Sequence, residues 1–158
     1  MIPTRDIVIL LVIAIISSSI ARGLSNGANP EALHTTRLLV EESPLTFGAV
    51  QHISIQRNGE LLEFEYVMDQ WWQVEPFHLR MDSASMRALI RAVQGAQVLG
   101  ELTDTTNVSA VGLGDESNMI RLSDGEHELT VHLGRKTLGG RAYAQLGESK
   151  PVVVDQSM

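Results

Sequence analysis

The chain opens on its most apolar stretch. Ile7 to Ile16 reads IVILLVIAII, ten apolar residues without a break, followed by three serines, Ile20 and Ala21. A helix over Ile7–Ala21 would span roughly 22 Å at 1.5 Å per residue, against a hydrocarbon core of ~30 Å. The run has no polar face, unlike a helix that packs on a soluble core. The expectation is a retained signal anchor over residues 1–22, a single-pass transmembrane helix. Two alternatives stand beside it. The segment could be a signal peptide cleaved after Ala21, since Ser19-Ile20-Ala21 before Arg22 has the small-x-small form, or a buried core element. Gly23 to Pro30 (GLSNGANP) reads as a flexible connector. Arg37 to Glu42 reads as a weak strand stopped by Ser43-Pro44. Residues 23–46 are therefore expected to form a linker with one weak strand.

From Val50 the period changes to two. Val50, Ile53 and Ile55 precede Asn58-Gly59, the favoured pair for a type I′ turn. Leu62, Phe64, Tyr66 and Met68 then alternate with Glu63, Glu65 and Val67, which predicts a hairpin with a wet glutamate face. Trp71 to Val74 is a third short strand before Pro76. Asp82-Ser83 can cap a helix, in which Met86, Leu89, Ile90 and Val93 form one apolar stripe at i, i+3, i+4 and i+7. Arg87, Arg91 and Gln94 face away from it, and Gly95 or Gly100 ends the helix. Glu101 to Asn107 reads as irregular and Val108 to Leu113 as one helical turn. A second hairpin, Met119–Leu122 and Leu129–Leu133, turns on Asp124-Gly125, and Tyr143–Leu146 with Val152–Val154 completes the pattern. The fold class expected is α+β: an N-terminal transmembrane helix, then antiparallel β-hairpins packed on one main helix, with residues 47–158 as an extracytoplasmic domain.

Composition narrows the chemistry. Among 158 residues there are no cysteines, which removes thiolate metal sites, cysteine nucleophiles and disulfides. The net charge of −7 lies entirely beyond Arg5 and Asp6, which cancel. No basic face suited to nucleic acid is implied. His127 and His132 are five apart rather than the four a zincin helix needs, and on a strand they would face opposite ways. Gly134-Arg135-Lys136-Thr137 lacks the adjacent Gly-Lys of a phosphate loop, and Gly112-x-Gly114 lacks the third glycine of a dinucleotide fingerprint. No cofactor or metal site is expected. Glu63 and Glu65 share a strand face about 7 Å apart, a spacing two hydrolase carboxylates could use, although a solvated face explains them as well. Trp71 and Trp72 must point to opposite faces, so one of them is a candidate partner anchor. Arg135, Lys136 and Arg141 form a basic cluster in an acidic chain and are candidate docking residues.

Taken in order, Trp72-Gln73-Val74-Glu75-Pro76, the Asp82-capped helix, Val111-Gly112-Leu113, Leu122-Ser123-Asp124-Gly125, Leu133-Gly134, Gly140 with Tyr143, and Val152-Val153-Val154 form a spaced series. Over roughly Phe47 to Asp155 this series resembles the bacterial domain-of-unknown-function family numbered 4340. The chain departs from the family pattern at Val111, where an aromatic is common, and after Leu113, where a proline is common. The resemblance implies a membrane-anchored protein with an extracytoplasmic α+β domain, often encoded beside ABC-type transport components, including the auxiliary part of gliding-motility transporters. It carries over no catalytic residue. The function expected is a non-enzymatic accessory or binding domain. It would be held at the cytoplasmic membrane through Ile7–Ala21, on the extracytoplasmic side, in contact with other membrane or transport proteins and not with nucleic acid. The alternatives are an extracytoplasmic carboxylate-dependent hydrolase using Glu63 and Glu65, or a secreted structural protein released by cleavage after Ala21.

Overall fold

The computed structural model describes residues 37–103, 107–114, 117–137 and 140–155. Within them lie ten strands and one helix. In chain order these are β1 (Arg37–Leu38), a 3₁₀ turn (Phe47–Ala49), β2 (His52–Arg57), β3 (Glu60–Val67), β4 (Gln70–Glu75) and β5 (Leu79–Arg80). Helix α1 (Ser83–Gln94) follows, and then β6 (Gln97–Glu101), β7 (Asn118–Ser123), β8 (Glu128–Lys136), β9 (Arg141–Leu146) and β10 (Val152–Asp155). The strands form one antiparallel sheet in the order β1-β6-β10-β9-β8-β7-β2-β3-β4-β5.

Register explains the core. Ile53 stands opposite Phe64 on one side and Leu122 on the other. Leu122 faces Leu129, and Val152 faces Ala144. All these residues are buried, with Ile53, Leu122 and Ala144 fully so. Because side chains alternate across a pleated strand, this one face carries the apolar set. The opposite face carries His52, Glu63, Glu65, Arg121, Thr130 and His132. Helix α1 leaves β5 at one end of the strand order and returns to β6 near the other end. Its stripe of Met86, Ile90 and Val93 joins the strand residues in a single cluster. The Asp82 carboxylate caps the helix, accepting the Ser85 amide and hydroxyl at 2.8 Å each. Those bonds, led by the backbone amide, hold the Asp82 carboxyl below its ordinary range. Leu39, Val40 and Leu45, which lie ahead of the 3₁₀ turn, also belong to the core.

The α+β expectation is corrected. The two predicted hairpins are not separate units on a main helix; β2 pairs with β7 over five residue pairs and fuses them into one sheet. Strand β6 forms where the helix was expected to end or give way to irregular chain. Its residues are mostly exposed, so it carries no apolar period that would announce it, and only its pairing with β10 and β1 makes it a strand. The architecture is a ten-stranded antiparallel sheet with one short helix. The expected transmembrane helix and single-pass location at the cytoplasmic membrane are likewise corrected: among the described residues no helix is long and apolar enough to cross a membrane. The segment Ile7–Ala21, on which that expectation rested, lies outside the described residues.

Candidate functional site

Turn chemistry positions the features of interest. Asn58 and Gly59 take φ of 51° and 82°, the left-handed pair the sequence predicts. The β3–β4 turn does the same with Met68 (φ 50°) and Asp69 (φ 62°). A left-handed conformation at a side chain such as methionine costs roughly 1 kcal/mol, and this methionine is 94% exposed. Val67 and Tyr66 beside it are also exposed, so the hairpin tip presents three consecutive apolar or aromatic residues to solvent.

Tyr66 connects this tip to a cleft of about 460 Å³ between α1, the 3₁₀ turn and strands β3 and β4. That volume lies in the range of roughly 300–1,000 Å³ usual for binding pockets. The aromatic lining is Phe47, Tyr66 and Trp71, and Ile90 supplies an aliphatic wall. Trp71 is 3% exposed and packs against Tyr66 with ring centroids 5.4 Å apart, tilted by 49°. Arg87 and Arg91, one helical turn apart on α1, line the same cleft. Among the described residues neither arginine has a carboxylate within ion-pair distance. Arg87 lies in the field of Asp82, whose carboxylate is engaged as the helix cap.

One wall of the cleft is tethered from across the sheet. The Asp124 carboxylate accepts the Thr46 amide at 2.8 Å and also the amides of His127 at 2.7 Å and Glu126 at 3.0 Å. Thr46 immediately precedes the turn that carries Phe47. The Thr46 amide is the leading cause, and the His127 amide the next, of an Asp124 carboxyl held far below its ordinary range. The Asp124-Gly125 pair therefore does not form the tight primed turn the sequence predicts. Gly125 has φ of 94°, but Asp124 works as an acceptor for a four-residue loop.

The residues singled out from the sequence are scattered. Trp71 joins the cleft, whereas Trp72 lies on the other face of the sheet, stacked on His78 at 4.9 Å. Arg135, Lys136 and Arg141 sit at the β8–β9 end, three to five strands from β3 and β4 in the sheet order, and do not line the cleft. Glu63 stands opposite Glu75, and Glu65 opposite Trp72; neither lines the cleft. His127 approaches Asp124 at 3.6 Å, and His132 Nδ1 is 3.0 Å from Ser117 Oγ. No group of three or more metal-ligating side chains occurs among the described residues. Gly134 is a strand position against the 107–113 turn, where Arg135 donates its amide to Val111 at 2.8 Å. Phe47, Tyr66, Arg87 and Arg91 escaped the sequence reading. The arginine pair at i, i+4 was visible, but its aromatic neighbours come from distant parts of the chain.

Comparison with known proteins adds no relative: no family model, no curated protein and no solved structure matches the chain.

Proposed function

We propose that this domain is a non-enzymatic accessory domain that binds another protein through the cleft and the hairpin tip beside it. The observation that carries the reading is the aromatic lining of the cleft, Phe47, Tyr66 and Trp71, with the exposed Met68 only two residues beyond Tyr66 at the hairpin tip. A methionine 94% exposed in a left-handed turn buries almost none of its side chain and costs backbone energy, which suits a contact residue before its partner arrives. The resemblance of the ordered motif series to family 4340 points to a subunit of an ABC-type transport system as the partner class. Met68→Asp and Tyr66→Ala test the reading, because both positions are exposed and the sheet should survive the changes. Affinity capture with the wild-type chain should recover one protein in near-stoichiometric amount, identified by mass spectrometry. Both variants should lose it while keeping the wild-type circular dichroism spectrum. Equal recovery by folded variants would refute the assignment of this surface.

A further inference from the structure

The cleft combines two kinds of recognition that seldom coincide by accident in so acidic a chain. Its wall and floor are aromatic and aliphatic, and its helix side carries Arg87 and Arg91 at i, i+4. That spacing places neighbouring side chains on one helix face, about 5–6 Å apart at Cβ. Both guanidinium groups are without an ion-pair carboxylate among the described residues, although the chain as a whole carries a net charge of −7. Guanidinium groups bind carboxylates by charge-assisted, commonly bidentate hydrogen bonds.

Resting on the protein-binding reading above, we propose that the cleft receives an acidic peptide segment of the partner protein. An apolar or aromatic side chain of that segment enters between Phe47, Tyr66 and Trp71, and flanking carboxylates pair with Arg87 and Arg91. Charge complementarity selects this occupant. Elsewhere the net acidic surface disfavours such a segment, with a screening length of about 8 Å at physiological salt. The other basic cluster, Arg135, Lys136 and Arg141, lies at the β8–β9 end away from these aromatic walls, so charge and apolar lining together fix where the segment lies. A basic segment has the opposite pattern: attracted by the surface in general and rejected here.

The test uses the full chain with Trp72→Phe, so that Trp71 fluorescence reports the cleft alone. The probes are synthetic peptide arrays with a central Phe or Leu, flanked at every neighbouring position by Asp and Glu, by Lys, or by Ser. The acid-flanked set should bind preferentially and perturb Trp71 emission. Arg87→Glu combined with Arg91→Glu, both exposed helix positions, should weaken that binding at least about tenfold while the variant keeps the wild-type circular dichroism spectrum. The milder pair Arg87→Gln and Arg91→Gln should give an intermediate loss. Three results would overturn the proposal: no preference for the acidic set, a preference for the basic set, or acidic binding that survives both double variants. A self-association in ultracentrifugation that disappears in the glutamate double variant would also overturn it, by identifying a second copy as the occupant. If the peptides fail while the Met68→Asp and Tyr66→Ala variants still lose the captured protein, the peptide chemistry is wrong and the protein-binding reading stands.

Discussion

Single positions show how little freedom the sheet leaves. Gly134 is a strand residue at which a Cβ would lie 2.5 Å from the Val111 carbonyl oxygen and 2.9 Å from the Tyr143 Cβ. The first of these is backbone and cannot swing aside. Gly134→Ala should therefore destabilise the fold by about 1–3 kcal/mol, read as a lower urea midpoint; an unchanged midpoint would mean that the 107–113 turn is not packed on β8. Asp124 makes a pH prediction. Its three amide donors favour the ionised form, so its stabilising effect is present above the unfolded-state carboxyl value of about 4. That effect is lost as the pH falls toward the lower folded-state value. Between about pH 5 and pH 2 the wild-type Tm should fall more steeply than that of Asp124→Asn, which cannot titrate. Parallel curves would show that the contacts to Thr46, Glu126 and His127 carry no linkage.

At the scale of elements, the helix is held by three buried side chains rather than by length. Met86, Ile90 and Val93 are the buried residues of its 12, and twelve residues are near the lower limit for an isolated helix in water. Met86→Ala should cost about 2–5 kcal/mol and should also quench or shift Trp71 emission, because helix and tryptophan share the cleft. Loss of stability without a change in Trp71 would place the helix elsewhere. The β3–β4 hairpin differs from its neighbour in how its turn is made. Asn58-Gly59 adopts left-handed backbone at little cost, whereas Met68-Asp69 does so against preference. Met68→Gly should therefore leave stability equal to or above that of the wild type while removing the exposed side chain, a combination that separates a binding residue from a folding one.

For the whole molecule, the decisive feature is the seam between β2 and β7. Ile53 and Leu122 are the large residues with no exposure, and they stand directly opposite each other across that seam. Leu122→Ala should cost about 2–5 kcal/mol in a single cooperative transition seen equally by Trp fluorescence and by far-ultraviolet circular dichroism. Two separated transitions would indicate that the hairpins fold as independent units. The terminal strands β1 and β5 are two residues each, which limits the open backbone available for edge-to-edge association.

Much of the local structure was legible in the sequence because it follows from short-range chemistry. The alternation through Leu62, Phe64 and Tyr66, the Asn58-Gly59 turn and the Asp82-capped helix are each set by residues within a few positions of one another. Strand β6 was not legible, since Gln97–Glu101 has no apolar period, carries Gly100 as a breaker, and becomes a strand only when β10 and β1 supply its hydrogen bonds. The single sheet was equally hidden, because joining the two hairpins depends on residues 52–56 meeting residues 119–123. The cleft combines both levels. Arg87 and Arg91 share a helix face by spacing alone, but Phe47 is held there through a bond from Thr46 to Asp124, and Tyr66 and Trp71 arrive through a turn the sequence disfavours. Periodicity and turn chemistry act within a few residues and determined the elements. Pairing order and the burial of one common face act across the chain, and only the tertiary structure decided them.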